Sequence, residues 1–171
     1  MYLVLTVIGD DRPGLVESLA RVVSAHQGNW LESSMSHLAG QFAGIVRIEV
    51  TGQRADALKH ALSAIPDLAV TATESVTASP RQGRRLQLSL VGHDRIGIVR
   101  EVSNVLARHA VNVEELETHT SSAPMSAETL FHARAALLAA TDLDTRKLTA
   151  DLERISNDLM VDISLDEKLS A

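Results

Sequence analysis

The chain has 171 residues, 22 of them acidic against 16 Lys plus Arg, a formal charge of −6 and no cysteine. This excludes disulfides, thiolate metal sites and Cys nucleophiles, and it lacks the dense basic footprint that neutralises phosphate backbones, so no direct nucleic-acid partner is expected. A hydrophobic fraction of 45% supports a packed core, while no apolar stretch approaches the roughly 20 residues that span a bilayer; a cytoplasmic protein without a membrane partner is expected.

Leu3, Val4, Leu5, Val7 and Ile8 form a short, nearly continuous apolar run, which predicts a strand buried on both faces. No basic region precedes it, so it is not read as a signal peptide. A turn follows at Gly9–Pro13, with Asp11 placed as a helix N-cap and Pro13 suited to a first helical turn. Leu15, Val16, Leu19, Val22 and Val23 then recur at helical spacing, and His26 falls where an imidazolium suits the negative end of the helix. Asn29–Leu38 alternates weakly as a strand, Ala39-Gly40-Gln41 supplies a hairpin turn, and Phe42, Val46, Ile48 and Val50 share one face of the next strand. A second helix carries Leu58, Ala61, Leu62 and Ile65 and ends at Pro66; Leu68, Val70 and Ala72 alternate as a last strand.

The same order then repeats. Shifted by 83 residues, Leu3–Asn29 lies over Leu86–Asn112 without a gap and with ten identities in 27 positions, among them Gly9/Gly92, Asp11/Asp94, Arg12/Arg95, Gly14/Gly97, His26/His109 and Asn29/Asn112. Later elements (Leu148, Leu152 and Ile155, then Leu159 and Val161) match at shifts of 90 and 91, so about seven residues are inserted between Thr118 and Asp142, with Ser121–Ser126 as the expected place. Each copy reads βαββαβ, the split-βαβ ferredoxin-like arrangement of the α+β class, with an antiparallel sheet and both helices on one face. The expected division is a first domain over 1–76, a linker over 77–85 broken by Ser79-Pro80 and Gly83, a second domain over 86–166 and a tail over 167–171. Units this small gain by packing together, so association of the copies and a homodimer are expected.

The carrying residues, Gly9-Asp10-Asp11-Arg12-Pro13-Gly14 and Gly92-His93-Asp94-Arg95-Ile96-Gly97, each followed about fifteen residues later by Asn29 or Asn112, resemble those of a tandem ACT-domain protein. In size and content the chain is similar in particular to the glycine cleavage system transcriptional repressor family. The resemblance implies a non-enzymatic regulator that binds an amino acid, glycine among them, where the first loop and helix start of one unit face the second strand of another. It also implies action on transcription through a protein partner, an activator, rather than by touching DNA. The second copy departs from the pattern, with Ile96 in place of Pro and His93 in place of Asp.

The chemistry of such a loop is binding. Free N–H groups at a helix start suit a carboxylate. Gly14 and Gly97 let a ligand approach the backbone, and Asn29 or Asn112 offers both a donor and an acceptor. Asp10 would face the ammonium, whereas neutral His93 only accepts weakly. A plainer reading stands beside this: Asp11 and Asp94 as caps, Arg12 and Arg95 as solvated or paired ions, and the two Asn as helix-exit residues that tolerate left-handed geometry. A protein-interaction module without ligand binding is the alternative function. His37, His119 and His132 lie on strands without metal-ligand spacing, so neither a metal nor a cofactor is expected. No nucleophile elbow or phosphate-cradling loop is present, so an enzyme is not expected. Glu114, Glu115 and Glu117 form an acidic stretch in the second copy only, a solvated face or a docking surface.

Overall fold

A computed structural model describes residues 1–75, 82–122 and 128–165. The chain divides into two compact units, Met1–Pro80 and Arg81–Ala171. The first unit runs β1 (Tyr2–Asp10), α1 (Leu15–Ala25), β2 (Asn29–Leu38), β3 (Gln41–Glu49), α2 (Gly52–Ser63) and β4 (Ala69–Ser75). The second runs β5 (Arg84–His93), α3 (Ile98–Arg108), β6 (Asn112–Ser122), β7 (Thr129–Ala139), α4 (Thr145–Glu153) and β8 (Met160–Leu165). Their sheets have the orders β2-β3-β1-β4 and β6-β7-β5-β8, and every pairing for which a register is resolved is antiparallel. The expected pair of βαββαβ units is therefore present. The linker positions 77–81 and the tail 167–171 lie outside the described residues, and Arg84 and Arg85 of the expected linker already belong to β5.

Alternation along the central strands decides which side of each sheet is covered. Leu3, Leu5 and Val7 of β1 are almost wholly buried with Val46 and Ile48 of β3 against Leu15, Leu19, Leu58 and Leu62 of the helices. Ile8 and Ile45 sit on the other face and stay half exposed. The continuous apolar run of β1 thus does not mean burial on both faces within the unit, because two helices lie over one face only. In the second unit Leu86, Leu88, Leu90 and Leu137 play the corresponding part against Val102, Leu106, Leu148 and Leu152.

The turns explain the repeated punctuation. The first hairpin has two residues, Ala39 and Gly40, both with positive φ (51° and 78°), the handedness that suits the strand twist; Gln41, expected in the turn, opens β3. Helix α1 ends in a Schellman turn: Gly28 N–H donates to Val23 O and Gln27 N–H to Ser24 O, both at 2.9 Å. Val111 N–H to Leu106 O and Ala110 N–H to Ala107 O repeat it after α3. The left-handed residues are Gln27 and Ala110, with φ of 56° and 53°. Asn29 and Asn112 instead open strands, which corrects their reading as left-handed helix-exit residues.

The insertion is placed by register. Gly9 pairs with Phe42 and Gly92 with Phe131, so the offset between copies has grown from 83 to 89 by this point. Six of the extra residues therefore belong to the β6–β7 hairpin, where 123–127 lie outside the described residues.

Candidate functional site

Each unit brings its repeated glycine-bounded loop to the end of the sheet where the central strand meets its helix. In the first unit a Cβ on Gly9 would stand 2.2 Å from the Asp67 carbonyl oxygen, so the loop before β4 packs directly on the β1 backbone. Asp10 accepts a hydrogen bond from the Gln41 amide at 2.6 Å, and Asp11 N–H donates to Gly40 O at 2.9 Å. Arg12 pairs with Asp67 at 2.8 Å, both about half exposed, a contact contributing up to about 1 kcal/mol.

The helix start differs from expectation. Gly14, not Asp11, is the N-cap of α1, with φ 91°, and Pro13 lies before the cap rather than in the first turn. Gly97 caps α3 at φ 93°, and Asp94 likewise lies upstream. An L-residue with a side chain resists this conformation, which is why glycine recurs here. Neither start has a side-chain cap, whereas Asp144 accepts from the Arg146 and Lys147 amides at the start of α4. Helix α2 also begins without one, behind an extended Thr51, so the left-handed glycine rather than the missing cap marks the repeated loops. Around Gly14 the space is open, with nothing within 4 Å of an added Cβ.

The second loop carries more of its own charge. Arg95 makes a two-point contact with Glu101 (Nη1–Oε1 3.0 Å, Nη2–Oε2 2.6 Å), and this bond lowers the pKa of Glu101 and raises that of Arg95. Arg100 Nη2 and Glu101 Oε1 each come within 3.8 Å of a Cβ built on Gly97, so side chains of both charges lie at the start of α3, whereas the space at Gly14 is open. The residue matching Glu101 in the first unit is Ser18. Ile96 is fully exposed. His93 contacts Asp158, whose carboxyl is held down at about 2 by the Ser156 hydroxyl first and the His93 main-chain N–H second. A carboxyl depressed in the fold stabilises it above the unfolded value and loses that effect as pH falls through the folded one. Asp158→Asn is therefore expected to unfold at a lower temperature than the parent at neutral pH, with the two melting curves converging as pH falls toward about 2.

Asn29 and Asn112 are exposed, and neither unit brings its own asparagine to its own loop. Asn29 pairs with Glu49, which pairs in turn with Tyr2 at one end of β1, while Gly14 follows Asp10 at the other end. Eight residue steps of strand separate the two ends, about 26 Å at roughly 3.3 Å per residue. Within a unit, therefore, the loop and the asparagine do not form one site.

Asp67 and Asp158, the partners of Arg12 and His93, were missed in reading the sequence. The signal was available, since Asp67-Leu68 recurs as Asp158-Leu159 at the shift of 91. The histidines hold structural positions: His26 Nδ1 lies 3.0 Å from Val22 O, and His109 Nε2 lies 2.9 Å from Asp151 on α4. His119 and His132 stack with centroids 4.6 Å apart. Among the described residues no three His, Cys, Asp or Glu gather as metal ligands, and no helix is long and apolar enough to cross a membrane.

Residues 1–73 match the family model of the ACT domain. A crystal structure of an unknown protein from Galdieria sulphuraria is 28% identical, covers 96% of this chain and 98% of its own, and superposes with a TM-score of 0.85. A protein assigned as a glycine cleavage system transcriptional repressor is 16% identical over 96% of this chain and 98% of its own, with a TM-score of 0.68, a likeness of fold. A formyltetrahydrofolate deformylase from Burkholderia mallei is 26% identical over 48% of this chain and 28% of its own, with a TM-score of 0.37. No curated protein sequence matches the chain significantly.

Proposed function

We propose that the chain is a tandem ACT-domain protein and a non-enzymatic regulator which binds an amino acid, glycine foremost, and modulates transcription through a protein partner. The single observation that carries this reading is the twice-built helix start behind a left-handed glycine, open at Gly14 and without a side-chain cap. The main-chain N–H groups of its first turn, of which Ile98 N–H in the second copy already donates to Arg95 O, and the helix dipole suit a carboxylate. An asparagine from a second copy of the chain would complete the site with a donor and an acceptor for carboxylate and ammonium, which makes a homodimer part of the proposal. The acidic balance of the chain favours action through a protein partner, an activator in this proposal, over contact with DNA. The proposed ligand residues are Asp10, Asp11, Arg12, Pro13, Gly14 and Asn29, with His93, Asp94, Arg95, Ile96, Gly97 and Asn112 as their second-copy counterparts.

A thermal-shift screen of the twenty common amino acids tests this. A true effector at a hundredfold excess over its dissociation constant stabilises the chain by about 2.7 kcal/mol, and Asn29→Ala or Asn112→Ala should diminish the shift. No shift for any amino acid at millimolar concentration would overturn the sensor reading. The second reading, an interaction module without ligand binding, is favoured for the second loop by one feature, the Arg100 and Glu101 side chains that lie at the start of α3.

A further inference from the structure

The two units close the inner side of their edge strands differently. On β2 of the first unit, Trp30 and Met35 are half-buried and packed against the core. Met35 lies over Gly44, where an added Cβ would stand 2.5 Å from Met35 Cγ. At the shift of 83 the second unit carries Val113 and Thr118 in these places, and at the shift of 89 it carries Ala133 for Gly44 and Ala135 for Val46. The Ala133 methyl returns part of the lost volume, but nothing replaces the indole ring or the branched Val46 side chain. Leu116 stands where the first unit has Ser33, yet it is 51% exposed, and Val113 is 38% exposed.

What remains is a cavity of about 30 Å³ between α3 and β6. Leu88, Leu90 and Ala135, each almost wholly buried, form its floor, while Val99, Val113 and Leu116, all partly exposed, stand at its mouth. Ten of its twelve lining residues are apolar, and the other two, Ser103 and Thr118, carry only hydroxyls, so no charged group faces a guest. An ion entering there gives up its hydration with nothing to compensate it, whereas an apolar group gains by leaving water. A cavity of about 150 Å³ lined by aliphatic and aromatic side chains accommodates benzene. This smaller one admits an end of fewer carbons, with the rest of the guest lying over the exposed mouth.

We infer that the second unit holds a binding site, between α3 and β6, for a small uncharged aliphatic molecule whose apolar end takes the place that Trp30 and Val46 fill in the first unit. The first copy shows what the space accepts, an apolar body wedged inside the edge strand; one copy supplies it from its own sequence and the other takes it from solution. The Ser103 and Thr118 hydroxyls offer the guest's polar end a donor or an acceptor. No residue of the repeated loops and neither asparagine lines the cavity. The site therefore stands whether or not those loops bind an amino acid.

Methyl NMR spectra of the full chain test it, with xenon and isobutanol as apolar probes and isobutylammonium as a charged molecule of the same shape. The methyl resonances of Leu88, Val102, Leu106 and Val113 are expected to shift and saturate with both apolar probes, isobutanol reaching half-saturation at about 1–10 mM. Leu5, Leu19 and Val23, the first-unit counterparts of the first three, should stay unmoved, and isobutylammonium should leave both sets unchanged. Ala135→Val, which restores the Val46 side chain, should weaken isobutanol binding about tenfold or more. Val113→Trp restores the indole at a partly exposed position on which the core does not depend, and should have the same effect. Shifts that rise without saturating, an equal response in the two units, equal binding of isobutylammonium, or parent-like binding in either folded variant would overturn the site.

Discussion

Leu58→Ala is expected to destabilise the first unit by about 2–5 kcal/mol, the cost of deleting buried methyl groups together with the cavity left behind. Leu58 has no exposed surface; it sits on the inner face of α2 among Leu3, Leu5, Leu19 and Ile48. Its neighbours cannot collapse freely, because Gly28, whose backbone closes the end of α1, packs against it: a Cβ there would lie 3.6 Å from Leu58 Cδ2. Urea unfolding measures the loss. Leu38→Ala is the matched control, since Leu38 is 78% exposed at the rim of the hairpin, and a change within about 0.5 kcal/mol is expected there. Equal losses at both positions would mean that the alternation along the sheet has been assigned to the wrong face.

Gly9→Ala should cost about as much by a different route. The new methyl would meet the Asp67 carbonyl oxygen at 2.2 Å, and that atom belongs to the backbone, so β1 or the turn before β4 must shift. Overpacking of this kind costs about 1–3 kcal/mol and more where the obstructing atom cannot rotate away. The turn itself has little slack, because Asp67 already holds a φ of 63°. Gly14→Ala separates crowding from strain. Its added Cβ meets nothing within 4 Å, yet the backbone stands at φ 91°, so only the left-handed penalty of about 1–2 kcal/mol applies. For a unit of this size each kcal/mol moves the melting temperature by about 4–8 °C, so calorimetry should rank Gly9→Ala below Gly14→Ala and both below the parent. The reverse order would place the tight contact elsewhere.

The fold was legible because it is written twice. Periodicity located Leu15, Leu19 and Val23 on one helix face and their counterparts Ile98, Val102 and Leu106 on another, and the structure buries all six. What local reading misplaced depends on backbone geometry that side-chain chemistry does not announce. Asp11 has the chemistry of a cap, yet the chain spends three more residues reaching Gly14, since β1 runs on to Asp10 and the turn closes in a left-handed step. Gln27 and Ala110 adopt positive φ although nothing in their side chains favours it; the Schellman bonds around them impose it. The site was harder still. Asp158 lies 65 residues from His93 and Glu128 lies 35 away, so only tertiary structure joins them. The separation of Asn29 from Gly14 follows from strand direction, which was readable, but its consequence emerges only when register is fixed.

The inserted hairpin has a consequence for how the two halves of this chain can diverge. Lengthening the β6–β7 connection left the strands in register and the core untouched, because a reversal at the sheet's tip tolerates extra chain at little entropic expense. It also delivered Glu128 to the place where a substitution had put His93. A change in length and a change in charge thus meet at one place, and trimming the loop back to two residues would remove the carboxylate beside the imidazole without touching the imidazole. Two halves that share a single blueprint for their interiors are in this way free to differ where the chain reverses direction.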